Sequence, residues 1–152
     1  MNTRYLNHVE RMPALFAALL GAERFPMKPK SDWKQKCAIY VIWIAGKAAH
    51  VGRTRNLQGR VRGHTSNSHY SASFAFKQAR RALNLVATYT PENSRKSLFG
   101  QPDFHAEFTR HRTILQNAHV GFLEVHDPVD QYLLELYAAM ELGMELDEFD
   151  TH

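Results

Sequence analysis

Two short runs rich in β-branched and aromatic residues, Cys37-Ala38-Ile39-Tyr40-Val41-Ile42-Trp43-Ile44 and Ala48 to Gly52, stand on either side of a small turn near Gly46-Lys47. Side chains of this kind suit a pleated, buried surface, and two such runs joined by a tight turn read as an antiparallel hairpin. The segments around them are helical in pattern. Apolar residues recur at helical spacing from Tyr5 to Leu20, with Gly21 placed as a C-cap. Residues Gly21 to Lys36, with Pro26, Pro29 and several lysines, read as a loop. Asn56 caps an expected helix over Leu57 to His64, and another runs from about Ser71 to Leu83 with Ser73-Phe74-Ala75-Phe76 in the core. Thr88 to Asp103 is rich in turn formers and charge and reads as an exposed loop. Phe104 to Gln116 is expected as a helix, His119 to Val125 as a third strand, and Val129 to Leu142 as a helix opened by Asp127-Pro128. The expected class is α/β in the α+β sense, a small three-stranded mixed or antiparallel sheet flanked by helices. Residues 1–36 would form an N-terminal helix and linker, and residues 37–152 the domain proper.

Charge points to the class of partner. The chain has 152 residues, about one domain, and carries a net charge of +4 with nine histidines in reserve. Arg53, Arg55, Arg60 and Arg62 fall close together without an intervening acid, and Lys77, Arg80 and Arg81 follow. A polyanion such as nucleic acid is the natural partner of such a cluster. No apolar run approaches the ~20 residues of a bilayer span, so no membrane role is expected. With Cys37 as its one cysteine, the chain has no intrachain disulfide and no cysteine-rich zinc site, which suits a reducing, cytoplasmic setting.

The informative constellation is Ala38-Ile39-Tyr40, then His50-Val51-Gly52, then Arg60 and His64, and far downstream Leu133-Leu134-Glu135. Arg60 and His64 lie four apart on the expected helix, so they share a face and can address one phosphate. Glu135 is the one ionisable carboxylate between Gln131 and Met140, in a helix apolar on nearly every side. If buried there, it needs an arginine, hydrogen-bond donors or a metal ion to hold its charge.

From Cys37 onward this pattern resembles the GIY-YIG nuclease superfamily. In that family GIY and YIG tripeptides on neighbouring strands are followed by a helix with an arginine and a histidine, and later by an essential glutamate. Here the tripeptides read AIY and HVG. The resemblance implies a metal-dependent endonuclease that hydrolyses phosphodiester bonds, of DNA rather than RNA, by a single-metal mechanism. Glu135 would hold one Mg²⁺ or Mn²⁺ at the scissile phosphate, and Arg60 would stabilise transition-state charge. Tyr40 would position or deprotonate the attacking water, with His64 assisting. A tyrosine with an ordinary pKa near 10 serves as a base at neutral pH only if Arg60, the metal or a histidine favours its phenolate. His50 stands in place of the family's second tyrosine and would relay a proton from Tyr40. Asp147, where the family usually has an asparagine, would either ligate the metal or repel the phosphate. Arg53, Arg55 and Arg62, with His69 and Lys77, would contact the nucleic-acid backbone.

Singly, each of these residues has an ordinary structural explanation, Tyr40 as core and Glu135 as an ion-pair partner. The alternative function is therefore a catalytically inactive nucleic-acid-binding module of the same fold. A third role, a protein partner or a second copy docked through the N-terminal helix, is also open.

Overall fold

In the computed structural model, which describes residues 1–68, 71–85 and 94–144, the chain opens with helix α1 (Thr3–Gly21). Asn2 caps it, its side chain accepting from the N–H groups of Arg4 and Tyr5. Strand β1 (Arg24–Pro26) and a single 3-10 turn (Ser31–Trp33) lead to the hairpin of β2 (Ala38–Ile44) and β3 (Lys47–Thr54). Helices α2 (Leu57–His64), α3 (Ser73–Ala82), α4 (Arg95–Phe99) and α5 (Pro102–Gln116) follow. Strand β4 (His119–Glu124) and helix α6 (Pro128–Glu141) complete the described chain. Asp127 opens α6 by accepting from the N–H groups of Val129 and Asp130, with Pro128 at the first helical position.

The strands form one antiparallel sheet of four, in the order β1-β4-β2-β3. Central β2 is covered on both sides, which is why its sequence is continuously apolar rather than alternating. Tyr40 and Ile42 face a core built with Leu57 and Val61 of α2, Phe74 and Phe76 of α3, and Phe104 and Phe108 of α5. Ile39, Val41 and Trp43 face the opposite core, with Met12 and Leu19 of α1 and Leu134, Ala138 and Ala139 of α6. Burying a side chain of this size is worth about 1.5–3 kcal/mol, so these two layers dominate the stability of the fold.

Three expectations need correction. The sheet has four strands rather than three, because Arg24, Phe25 and Pro26 pair with Gly121, Val120 and His119. Three residues ending in proline leave no periodicity to read, and a proline is tolerated there because β1 is an edge strand. The stretch from Gly21 to Lys36 is accordingly not all loop: Phe25, Trp33 and Phe122 pack their rings together, with centroids 5.4–6.1 Å apart. Helix α4 likewise interrupts the expected Thr88–Asp103 loop, with Leu98 buried and Phe99 packed edge-on against Phe108. The part of that loop at 88–93 lies outside the described residues. No helix of the described chain is long and apolar enough to cross a membrane.

The hairpin turn is Ala45-Gly46, one residue earlier than the sequence suggested. Both residues have positive φ, 51° and 78°, as a two-residue turn between Ile44 and Lys47 requires. Glycine adopts this freely and alanine does not. Ala45→Asn is expected to raise the unfolding free energy by roughly 0.5–1 kcal/mol, read as a higher urea midpoint at unchanged slope.

Candidate active site

Two departures from regular strand geometry put the polar side chains of the hairpin together. Ile42 pairs with His50 but Trp43 pairs with Ala48, so Ala49 is an extra residue in β3. This bulge sets the parity by which His50 and Gly52 lie on the same side of the sheet as Ile42 and Tyr40. The second departure is Gly52 itself, directly opposite Tyr40. A Cβ at this position would overlap Tyr40 Cζ and Oη, so the phenol crosses β3 only because residue 52 has no side chain.

Beyond β3 the phenol meets α2. Asn56 starts this helix, its side chain accepting from the N–H groups of Gly59 at 3.2 Å and Gln35 at 3.1 Å. Leu57 N–H donates to Lys36 O at 3.1 Å and ties the helix to the chain ahead of β2. Leu57, Val61 and His64 form the buried face of α2. Arg60 Nε donates to Tyr40 Oη at 3.0 Å, and His64 Nε2 lies 2.7 Å from the same oxygen. The His50 ring completes the group, with its centroid 5.2 Å from His64, 5.9 Å from Tyr40 and 4.9 Å from Phe74.

Tyr40 and His64 are fully buried and His50 nearly so, whereas Arg60 is half-buried. Arg60 lines an open cleft of about 360 Å³ with Thr54, Asn56, Gly59, Gly63 and Ser71. A Cβ at Gly59 would meet the Asn56 side chain, and one at Gly63 the Ser71 backbone, so both stay small along that cleft. The arrangement is thus a phenol at the back, a guanidinium over it, and an uncharged polar groove in front.

Burial pushes His64 well below its ordinary pKa, and the neighbouring His50 and Arg60 push the same way, so His64 is neutral at pH 7. With Nε2 accepting from Tyr40 O–H, the phenol oxygen keeps a lone pair for Arg60 Nε–H. His64 Nδ1 has no hydrogen-bond partner among the described residues. A folded-state pKa below the unfolded one gives stability that is complete above pH ~6.5 and is lost as pH falls. The loss from this one group approaches about 1.4 kcal/mol per pH unit until the lower folded pKa is reached. His64→Gln should therefore close part of its stability gap to the parent protein between pH 7.5 and 5, measured by urea unfolding. A gap independent of pH would mean that His64 is not held neutral by the fold.

Of the residues singled out from the sequence, Tyr40, His50, Arg60 and His64 come together. Glu135 is carried by a different layer of the fold. It is on α6, which covers the opposite face of the sheet and packs against β2 and β3. Nor is it the buried lone carboxylate expected, because it is half-buried. The continuous apolar character of α6 has two sources: Leu134, Ala138 and Ala139 are core, while Tyr132, Leu136 and Met140 form an exposed stripe. Arg53 pairs with Ile39 and so belongs to the α6 face, where its guanidinium stacks 4.0 Å over the Tyr132 ring. Arg55 and Arg62 are exposed, and Lys77 is half-buried on α3. His69 and Asp147 lie outside the described residues.

The sequence reading missed a second polar cluster, where α1 crosses α6. His8 Nδ1 lies 2.7 Å from Asp130 Oδ1, and Arg11 Nη2 lies 2.8 Å from both Asp130 oxygens and from His8 Nδ1. Burial raises the Asp130 carboxyl, but the hydrogen bonds and charge of Arg11 and His8 outweigh it and hold the pKa below the ordinary value. Donor atoms of His8, Asp127 and Asp130 all lie within 4.8 Å of one another, so this group could hold a metal ion. The Arg11 guanidinium already contacts two of these three residues, His8 and Asp130. A histidine on the apolar face of α1 was the available signal. Compared with family models, with curated proteins and with solved structures, the chain matches none of them.

Proposed function

We propose that this protein is a GIY-YIG-type, metal-dependent endonuclease whose substrate phosphate enters the cleft over Gly59 and Gly63. The observation that carries this reading is the contact of Tyr40 Oη with both Arg60 Nε and His64 Nε2. These residue types perform complementary tasks in phosphodiester hydrolysis. Arg60 keeps one N–H on the phenol and lines the cleft, where its guanidinium would offset charge on the phosphorane oxygens of a bound phosphate. His64, neutral and buried, accepts the proton that Tyr40 must lose to act on a water. Proton transfer from Oη to Nε2 keeps their hydrogen bond and leaves the phenolate facing a guanidinium, which stabilises it. His50 packs beside this pair, its ring centroid 5.2 Å from that of His64, and would relay the proton onward.

Glu135 would be the Mg²⁺ or Mn²⁺ ligand. A half-buried carboxylate suits a hard divalent cation, and α6 reaches β3, the strand that carries Gly52 and His50. The ion would supply Lewis-acid stabilisation of the leaving oxygen. Arg55 and Arg62 are exposed and available to backbone phosphates.

Incubation of supercoiled plasmid with the protein and Mg²⁺ or Mn²⁺ at pH 6–9 tests this. Nicked and linear products that vanish with Glu135→Ala support it, and intact supercoiled DNA throughout the range contradicts it.

One observation favours a second reading. Tyr40 is wholly inaccessible to solvent, and its hydroxyl is covered by Arg60 and His64. A water must reach Oη for the phenolate to act on it, so cutting requires Arg60 to swing aside when substrate binds. Were Arg60 to stay in place, the same cluster would only brace α2 against the sheet, and the protein would be a nucleic-acid-binding module. Binding that weakens steeply with salt, without cleavage and unchanged by Glu135→Ala, is the signature of that outcome.

A further inference from the structure

A second cavity, of about 340 Å³, opens between the turn end of the hairpin and helices α3 and α5. Ile44, Ala49, Phe74, Ile114 and Leu115 make its walls apolar, and Gln78 and His111 supply its polar groups. No lysine, arginine or carboxylate is among the described lining residues. Such a cavity rejects a phosphate and accepts a flat, weakly polar ring. Phe74 connects it to the site already described, because this ring lines the cavity and also packs against His50.

The polar groups suit a heterocycle. A glutamine amide offers a donor and an acceptor side by side, the pattern that pairs with the edge of an adenine. His111 adds a second donor or acceptor. Burial and Arg110 lower its pKa more than Glu107 raises it, so it enters the cavity uncharged at pH 7. Base-on-aromatic stacking is open to any base that is out of a duplex.

We propose that this cavity takes an unpaired nucleobase of the bound strand, packed between its apolar walls and held at its edge by the Gln78 amide. The proposal rests on the nucleic-acid function assigned to the neighbouring Arg60 cleft, and it narrows the substrate to strands with bulged, mismatched or single-stranded positions. A fully paired base cannot enter, because its edge and both faces are occupied within the duplex.

Binding without metal tests the cavity separately from cutting. Labelled DNA hairpins carrying one bulged adenine, one bulged abasic site or no bulge would be titrated with the protein in EDTA and followed by fluorescence anisotropy. The parent protein should bind the adenine bulge at least tenfold more tightly than the other two. Ile114→Trp, which fills the cavity, should erase that preference while leaving affinity for the paired hairpin unchanged. Gln78→Ala leaves the apolar walls intact and should reduce the preference several-fold, so it carries the test if the tryptophan variant does not fold. Equal binding of all three hairpins by the parent protein overturns the proposal, as does a preference that survives Gln78→Ala and Ile114→Trp alike. A preference for the adenine bulge in a protein that never cuts DNA with Mg²⁺ or Mn²⁺ sustains the base pocket and rejects the nuclease. Cutting without any preference does the reverse.

Discussion

Tyr40→Phe is expected to slow plasmid cleavage by at least about 10²-fold, roughly 3 kcal/mol of barrier. The substitution removes one oxygen, and that oxygen is the common partner of Arg60 Nε and His64 Nε2. Two consequences follow from its loss. The group that would take or steer the water's proton is gone, and the Arg60 side chain loses the contact that orients it at the cleft. The variant also leaves two buried or half-buried nitrogens short of a partner, at a cost to stability of about 1–3 kcal/mol. Rate and stability must therefore be measured on the same preparation, by single-turnover cleavage and by urea unfolding. A full hundredfold loss of rate in a protein that remains folded assigns the phenol to the reaction. An unchanged rate with reduced stability makes it a brace between β2 and α2 and nothing more.

Gly52→Ala probes the same oxygen from the other side. The added methyl would overlap Tyr40 Cζ and Oη, and both backbones are fixed by the β2–β3 ladder, so the ring has to move. Overpacking of a filled core costs about 1–3 kcal/mol, which for a chain of this length lowers the melting temperature by roughly 2–10 °C. The displaced ring also leaves Arg60 and His64, so cleavage should fall by at least about tenfold even among folded molecules. Calorimetry and the plasmid assay read the two effects separately. A variant with the parent melting temperature and rate would mean that Tyr40 does not cross β3 at this point. Gly46, by contrast, has open space around its missing Cβ and serves only the turn.

Much of this arrangement could be read in the sequence, and the remainder was hidden for identifiable reasons. The hairpin and the cap at Asn56 are local, and both were legible because strand and cap preferences act within a few residues. That Arg60 and His64 share a helix face followed from their spacing of four, and their meeting with Tyr40 was what the resemblance implied. What the sequence obscured was the role of packing on opposite faces of the sheet. Arg53 sits in the basic cluster, yet strand parity sends it to Tyr132 and away from Tyr40. His50 was expected to relay a proton from Tyr40; the sequence did not show that Tyr40 Oη would lie 2.7 Å from His64 Nε2 with the His50 ring packed beside both. The bulge at Ala49 that fixes its side has no signature in residue type. Strand β1 and helix α4 are too short to show a period, and they are held by tertiary contacts of Phe25 and Leu98. The pairing of His8 and Arg11 with Asp130 joins residues more than a hundred positions apart, beyond the reach of any local pattern.

Whether Glu135 joins the phenol and the guanidinium around one phosphate is decided most directly by a crystal grown with Mn²⁺ and a short DNA, with data collected at the manganese absorption edge. An anomalous peak on the Glu135 carboxylate, with Arg60 and Tyr40 directed at the same phosphate, is the expected result. A peak at His8, Asp127 and Asp130 with Arg11 displaced, and none at Glu135, would contradict it and move the metal to the junction of α1 and α6.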